Sequence, residues 1–234
     1  MKVAIMQPYF FPYIGYFQLI NAVDEFVIYD NIQFTKKGWI NRNRILINGK
    51  DDYITLPLKK DSDFLQVYQR CLADTWESDR KKMLNRIKES YRKTPYFDTV
   101  FPVIEECILF EDQNLFNFIL HSVQQINEYL NIKTPLITAS TIPMDHELKA
   151  ESKVIEICKS RKANIYINPS GGVGLYSKNN FADHGIILQF IKSIDIEYKQ
   201  FDKGFVPWLS IIDVMMFNSK DQIADYLDSF YTLN

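Results

Sequence analysis

The sequence is poor in the residues on which many structural and catalytic schemes depend. Its three cysteines, Cys71, Cys107 and Cys158, are odd in number and far apart. They make neither a disulfide framework nor a zinc pattern, and a reducing cytoplasm suits them best. The three histidines do not recur with acidic residues at metal-ligand spacing, so no metal site is expected. A net charge of −2 supplies no long-range positive field for nucleic acid or anionic membrane. Any anion-binding patch must therefore be local, and nucleic acid is not an expected partner. No apolar run approaches the roughly 20 residues of a membrane span. The opening run Met1–Met6 ends at Gln7-Pro8 without a cleavage-type segment, so it reads as the start of the fold and not as an export signal.

What remains is ordinary globular material, 47% hydrophobic and 24% charged, in a chain whose length still suits one α/β core. A single domain over residues 1–234 is expected. Val3–Met6 reads as a buried strand closed by Pro8. Gly15–Val23 carries aromatic and aliphatic residues at helical spacing, and Asp24–Asp30 reads as a second strand. Strand, loop, helix, strand is a βαβ unit with a parallel pair. Asn48-Gly49, between Arg44–Ile47 and Tyr53–Leu56, signals a β-hairpin. Residues 76–130 repeat apolar positions at three- and four-residue steps, which predicts a helical insertion or cap. Short apolar runs at 136–140, 164–168 and 186–190, with a helix at 150–160, resume the parallel pattern, and two helices close the chain at 209–218 and 221–230. The expected fold is thus α/β: a mostly parallel, Rossmann-like sheet flanked by helices, with a hairpin and a helical insertion.

Three post-strand loops carry ligand-like chemistry. Residues 7–17, rich in aromatics, join the first strand to the first helix, where open α/β sheets bind ligands. Gln7, Tyr9, Pro12, Gly15 and Tyr16 are candidates there, with free helix amides to favour an anion. Residues 30–44 place Asp30, Gln33, Lys36, Trp39, Arg42, Asn43 and Arg44 after the second strand. Arginine forks grip phosphate or carboxylate, and tryptophan stacks on a ring. Asn168–Tyr176 offers Ser170, Gly171, Gly172 and Tyr176, with glycines that let backbone amides approach an anion. Asp30 and His146 are the candidate bases, and Gln7, Asn43 and Ser170 the candidate oxyanion donors. Each loop also has a plain reading as packing, solvated surface or a simple turn. Cys107 and Cys158 sit among aliphatics and read as inert core thiols.

Tyr13-Ile14-Gly15-Tyr16 occupies the place of the His-x-Gly-His motif of some nucleotide-binding α/β enzymes, but both histidines are absent. An ATP-dependent ligase or nucleotidyl transferase is therefore an alternative weakened at this position. The blocks Gln7–Phe17, Asp30–Phe34, Trp39–Arg44, Pro169–Gly172 and Phe205–Asp213, taken together and in this order, resemble the WbqC-like family over nearly the whole chain. That resemblance implies bacterial origin and, frequently, a place among genes for O-antigen or other surface polysaccharide. It implies a transferase attaching a glycyl or other acyl group to an amino sugar; a nucleotide-linked or otherwise phosphorylated amino sugar would suit the residues, offering phosphates to Arg42, Arg44 and the Gly171-Gly172 amides. The donor would be an acyl or aminoacyl thioester, or an amino acid activated by ATP; no resident cofactor is implied. A sugar-binding subunit without catalysis is the second alternative, and homo-oligomerisation is left open.

Overall fold

A computed structural model describes residues 1–201 and 204–234. The chain begins with β1 (Lys2–Met6), α1 (Ile14–Asn21) and β2 (Glu25–Ile28). β1 and β2 pair in parallel from Val3↔Glu25 to Met6↔Ile28, so the expected βαβ unit is present. Val3, Ala4 and Ile5 are all buried because a parallel strand is covered on both faces. A hairpin follows, β3 (Arg42–Ile47) and β4 (Lys50–Thr55), turning at Asn48 and Gly49. Their φ values of 53° and 80° are what a two-residue turn matched to strand twist demands, and Asn-Gly adopts them with least cost.

Three helices come next, α2 (Trp76–Tyr91), α3 (Phe97–Leu109) and α4 (Leu115–Tyr129), as the periodicity of 76–130 predicts. Then come β5 (Leu136–Thr138), α5 (Ala150–Ser160), β6 (Ile165–Pro169), a 3-10 turn at Ser170–Leu175, α6 (Lys178–Asp183) and β7 (Ile187–Ser193). The chain closes with α7 (Ile211–Phe217), α8 (Lys220–Ser229) and β8 (Tyr231–Leu233). One sheet of six strands has the order β5-β2-β1-β6-β7-β8, parallel except for β8, which runs antiparallel to β7. The fold class is α/β as expected. Two short elements, α6 and β8, escape the periodicity reading, and β7 runs three residues beyond Phe190.

The sheet has two covered faces. α1 packs on one, in a continuous core with the hairpin, α2, α3, α4, α7 and α8. α5 and α6 cover the other through Val154, Ile157, Cys158 and Phe181. Cys107 and Cys158 are buried, and burial pushes both thiols up, Cys158 to about 12, so both are protonated core groups. The chain leaves β1 by way of α1 towards β2, and reaches β6 on the other side of β1 by way of α5. The carboxyl ends of β1 and β6 therefore bound the crevice where the winding reverses, the place at which open α/β sheets take ligands. Among the described residues no helix is long and apolar enough to cross a membrane.

Candidate functional site

A cavity of about 410 Å³ opens at that reversal point. Met6 closes β1 there, the loop into α1 supplies Tyr9, Pro12 and Tyr13, and the start of α1 supplies Gly15 and Tyr16; the hairpin and its approach supply Trp39, Asn43 and Arg44. The end of β6 contributes Pro169 and the turn after it Ser170, β7 contributes Ile191, Lys192 and Ser193, and the segment before α7 contributes Trp208. The three loops singled out in the sequence thus meet at one cavity. Gly15 is required by packing: a Cβ there would stand 2.6 Å from the Ser193 hydroxyl, which itself donates to Gln18.

The walls are aromatic and the charge is positive. Trp39 and Trp208 are 39% and 48% exposed, unusually open for tryptophan. The Trp208 ring lies 5.1 Å from that of Tyr13, and its backbone is held at φ 61°, a left-handed conformation that a bulky residue rarely adopts. Such strain persists only where the surroundings impose it. They do so here, because Arg44 donates to the Trp208 carbonyl at 3.1 Å and to Asp51 at 3.0 Å. The guanidinium also sits over the Trp39 ring at 5.6 Å. Of the five N–H groups of arginine these bonds use two, and the buried Nε–H has no partner among the described residues. Lys192 is the second cation among the described lining residues, none of which is acidic or a histidine. Burial raises the phenols of Tyr9, Tyr13 and Tyr16, Tyr13 to about 12 with help from Asp195. These tyrosines are neutral near pH 7 and serve as walls and hydrogen-bonding groups rather than bases.

Other candidates lie elsewhere or have other work. Asn43 lines the cavity, but its amide donates to the Phe10 and Phe11 carbonyls at 3.1 and 2.9 Å, so it has no N–H left for an oxyanion. Arg42 spends its fork on the carbonyls of Gly38 and Lys37 and stacks on Tyr53, outside the cavity lining. Gln33 and Lys36 reach Asp63 on a neighbouring loop. Gln7 lies one residue beyond Met6, and its carbonyl accepts from the Tyr16 hydroxyl at 3.0 Å. Asp30 and His146 belong to a separate polar group at the ends of β2 and β5, where Asp30 accepts from the Ser140 amide. Tyr176 packs edge-on against Tyr166 and Phe181.

Gly171 and Gly172 are not in the lining, which takes Pro169 and Ser170 from this turn. A Cβ at Gly172 would fall 2.0 Å from the Asn168 amide nitrogen, so this glycine answers to the packing of its own turn. Gly172→Ala is expected to destabilise the protein by about 1–3 kcal/mol, the cost of an overpacked site, checked by urea unfolding. Gly171→Ala, with open space at its Cβ, is the silent control.

Tyr13, Lys192, Ser193 and Trp208 line the cavity although the sequence does not mark them as site residues. Lys192 and Ser193 lay beyond the expected end of β7, and the signal for Trp208 was its place in the block Phe205–Asp213. Among the described residues no group of three or more His, Cys, Asp or Glu is placed to hold a metal ion. The profile of the WbqC-like protein family matches residues 7–225. An uncharacterized protein of Mycobacterium tuberculosis, Rv1507c, is 31% identical over 233 residues, covering 97% of each chain. No solved structure matches the chain.

Proposed function

Because the chain belongs to the WbqC-like protein family, we propose that it acts in bacterial surface-polysaccharide synthesis, in the cytoplasm, as a transferase placing an acyl or aminoacyl group on a nucleotide-linked amino sugar. The observation that carries the reading is the joining of an exposed aromatic cage, Trp39, Trp208 and Tyr13, to Arg44 and Lys192 in one cavity. A base or sugar ring stacks on the indoles while the phosphates meet the cations. The amino sugar then extends past Gln7 towards Asp30, which follows the neighbouring strand β2. In the transfer the sugar amine attacks the donor carbonyl, the donor's thiol or phosphate departs, and the amine proton passes to Asp30 or His146. Ser170, at the rim, is the hydroxyl available to the developing oxyanion.

Arg44→Ala is expected to weaken binding of a nucleotide-linked amino sugar at least tenfold by calorimetry, with unfolding curves run beside it to confirm the fold. Unchanged affinity would rule out this cavity as the nucleotide site. A second reading, a sugar-binding subunit without turnover, draws on the lack of any carboxylate or imidazole among the described lining residues. It predicts tight binding indifferent to Asp30→Asn and His146→Ala, and no acylated product by mass spectrometry. Pyrophosphate release on adding ATP and an amino acid would instead favour the ligase or nucleotidyl-transferase alternative.

A further inference from the structure

The cavity is lined by one hydroxyl whose direction the fold dictates. Gln18, in α1, is completely buried, and its amide nitrogen donates to the carbonyls of Tyr226 and Phe230 at 2.7 and 3.0 Å. Turned the other way, the amide would set its oxygen against two carbonyl oxygens with no proton between them, so its Oε1 has to face away from α8. That Oε1 meets the Ser193 hydroxyl at 2.6 Å. An amide oxygen has no proton to give, so the proton in this bond belongs to Ser193. The hydroxyl is thereby spent as a donor, and only its lone pairs are left for a ligand.

The open side of this oxygen is the cavity side. Ser193 and Gly15 both line the cavity, and the Ser193 oxygen stands where Gly15 lacks a Cβ. The Tyr13 ring borders the same opening, 3.4 Å from the position that Cβ would take, and Trp208 lies beside Tyr13. Leu19, one turn along α1 from Gly15, and Ile191, on the same face of β7 as Ser193, are apolar neighbours in the lining. Asp195, outside the lining, adds negative potential at Tyr13. Such a corner repels phosphate and carboxylate, which would set lone pairs against lone pairs. An uncharged ring with an N–H or O–H on its edge fits it, face on the aromatic pair and donor on Ser193.

We infer that Ser193 is a specificity-determining residue of the cavity, accepting a hydrogen bond from the N–H or O–H edge of a ring seated against Tyr13 and Trp208. Gln18, which lies outside the lining, is the positioning residue that keeps Ser193 an acceptor. This deepens the nucleotide-sugar reading and rests on it for the identity of the ring, a nucleobase; the direction of the hydrogen bond rests on the geometry alone.

The test is calorimetry on the full chain with the diphosphates of uridine, thymidine, cytidine, adenosine and guanosine. The tightest is then compared with its analogue in which the base N–H groups are replaced by N-methyl. The parent should prefer the unmethylated base at least tenfold. Ser193→Ala strands the base donor in an apolar corner, so it should weaken the unmethylated ligand at least fivefold and bring the preference to twofold or less. A merely structural role would weaken both ligands alike. Ser193→Thr, which keeps the oxygen, should retain more of the preference, and Arg44→Ala should lower both affinities and leave the preference intact. Gln18→Met frees the Ser193 proton and should reduce the preference with Ser193 still in place. Near-ultraviolet circular dichroism confirms the fold, and if Gln18→Met unfolds, the Ser193 variants decide. A preference unchanged in Ser193→Ala would overturn the inference and leave the nucleotide reading standing. A preference unchanged in folded Gln18→Met would overturn the part given to Gln18. Unphosphorylated nucleosides binding as tightly as the diphosphates, with the preference still set by Ser193, would remove the phosphate from that reading and keep the acceptor. No binding of any nucleoside or diphosphate would overturn both.

Discussion

Asp213→Ala is expected to cost on the order of 3–5 kcal/mol at pH 7 and to loosen the wall of the cavity along with the core. Asp213 is fully buried in α7, and three donors converge on its carboxylate: the hydroxyls of Tyr91 and Tyr198 at 2.9 and 2.7 Å and the Gln200 amide at 2.7 Å. Tyr91 in turn accepts from the Leu46 backbone N–H at 2.8 Å. One carboxylate thus ties α7 to α2, to the hairpin and to the segment 198–200. Alanine would strand those donors in the interior, and each stranded donor costs about 1–3 kcal/mol. Just ahead of Asp213, the Ser210 hydroxyl donates to the Phe11 carbonyl, and the amides of Ser210 and Ile211 donate to the carbonyls of Arg44 and Pro12. The same helix start therefore fixes two of the cavity-lining segments.

The pH dependence gives this prediction a signature. Burial raises the Asp213 carboxyl from 3.8 to about 6, against the lowering effect of its three donors. The folded protein therefore holds the proton more tightly than the unfolded chain between those values, and the group's contribution to stability falls as pH rises through that window. Below pH 6 the cost of Asp213→Ala should grow by about 1.4 kcal/mol per unit, levelling off near the unfolded value around 4. Removing a carboxylate held in an ordinary ion pair does the opposite and matters less in acid. Urea unfolding of both proteins at pH 5 and pH 7 separates the cases, and a cost that shrinks at pH 5 would show that Asp213 does not carry its charge in this way.

What could be read from the sequence were features with a local cause. The β1-α1-β2 unit follows from apolar runs and Pro8, and the hairpin from the two residues that tolerate its turn. The helical block at 76–129 follows from a sustained period. α6 and β8, of six and three residues, are too short for a period to register, and β8 exists because β7 offers it an edge. Placing the ligand loops after strands was enough to bring them to one cavity. Sorting residues within a loop was not: Arg42 and Arg44 are equivalent in type and lie two apart on one strand, so they share a face. Arg42 turns back onto its own loop, whereas Arg44 is held by the carbonyl of Trp208, 164 residues away. Asn43 is the converse case, a polar residue with plausible chemistry whose hydrogen bonds are claimed by backbone that only the fold brings near.

Trp208→Gly should separate the binding role of the cavity from its structure. Most large-to-glycine changes confound the two, since they remove packing and stiffness together. At φ 61° the left-handed backbone costs an L-residue roughly 1–2 kcal/mol and glycine almost nothing. That relief offsets the lost ring contact with Tyr13, worth about 0.5–1.5 kcal/mol, and the added flexibility of the unfolded chain. The variant should thus unfold within about 1 kcal/mol of the parent, and Arg44 keeps its bond because the accepting atom is a backbone carbonyl. Binding should not survive so well. Loss of a stacking face worth about 1–3 kcal/mol weakens a nucleotide-linked sugar by up to about 100-fold, read by calorimetry against the parent. Trp208→Phe, which keeps a face and the strain, should recover most of the affinity. Equal affinity in the parent and the glycine variant would mean that the ring packs on Tyr13 for the fold's own sake, and that the residue is held in a strained conformation for some purpose other than this ligand.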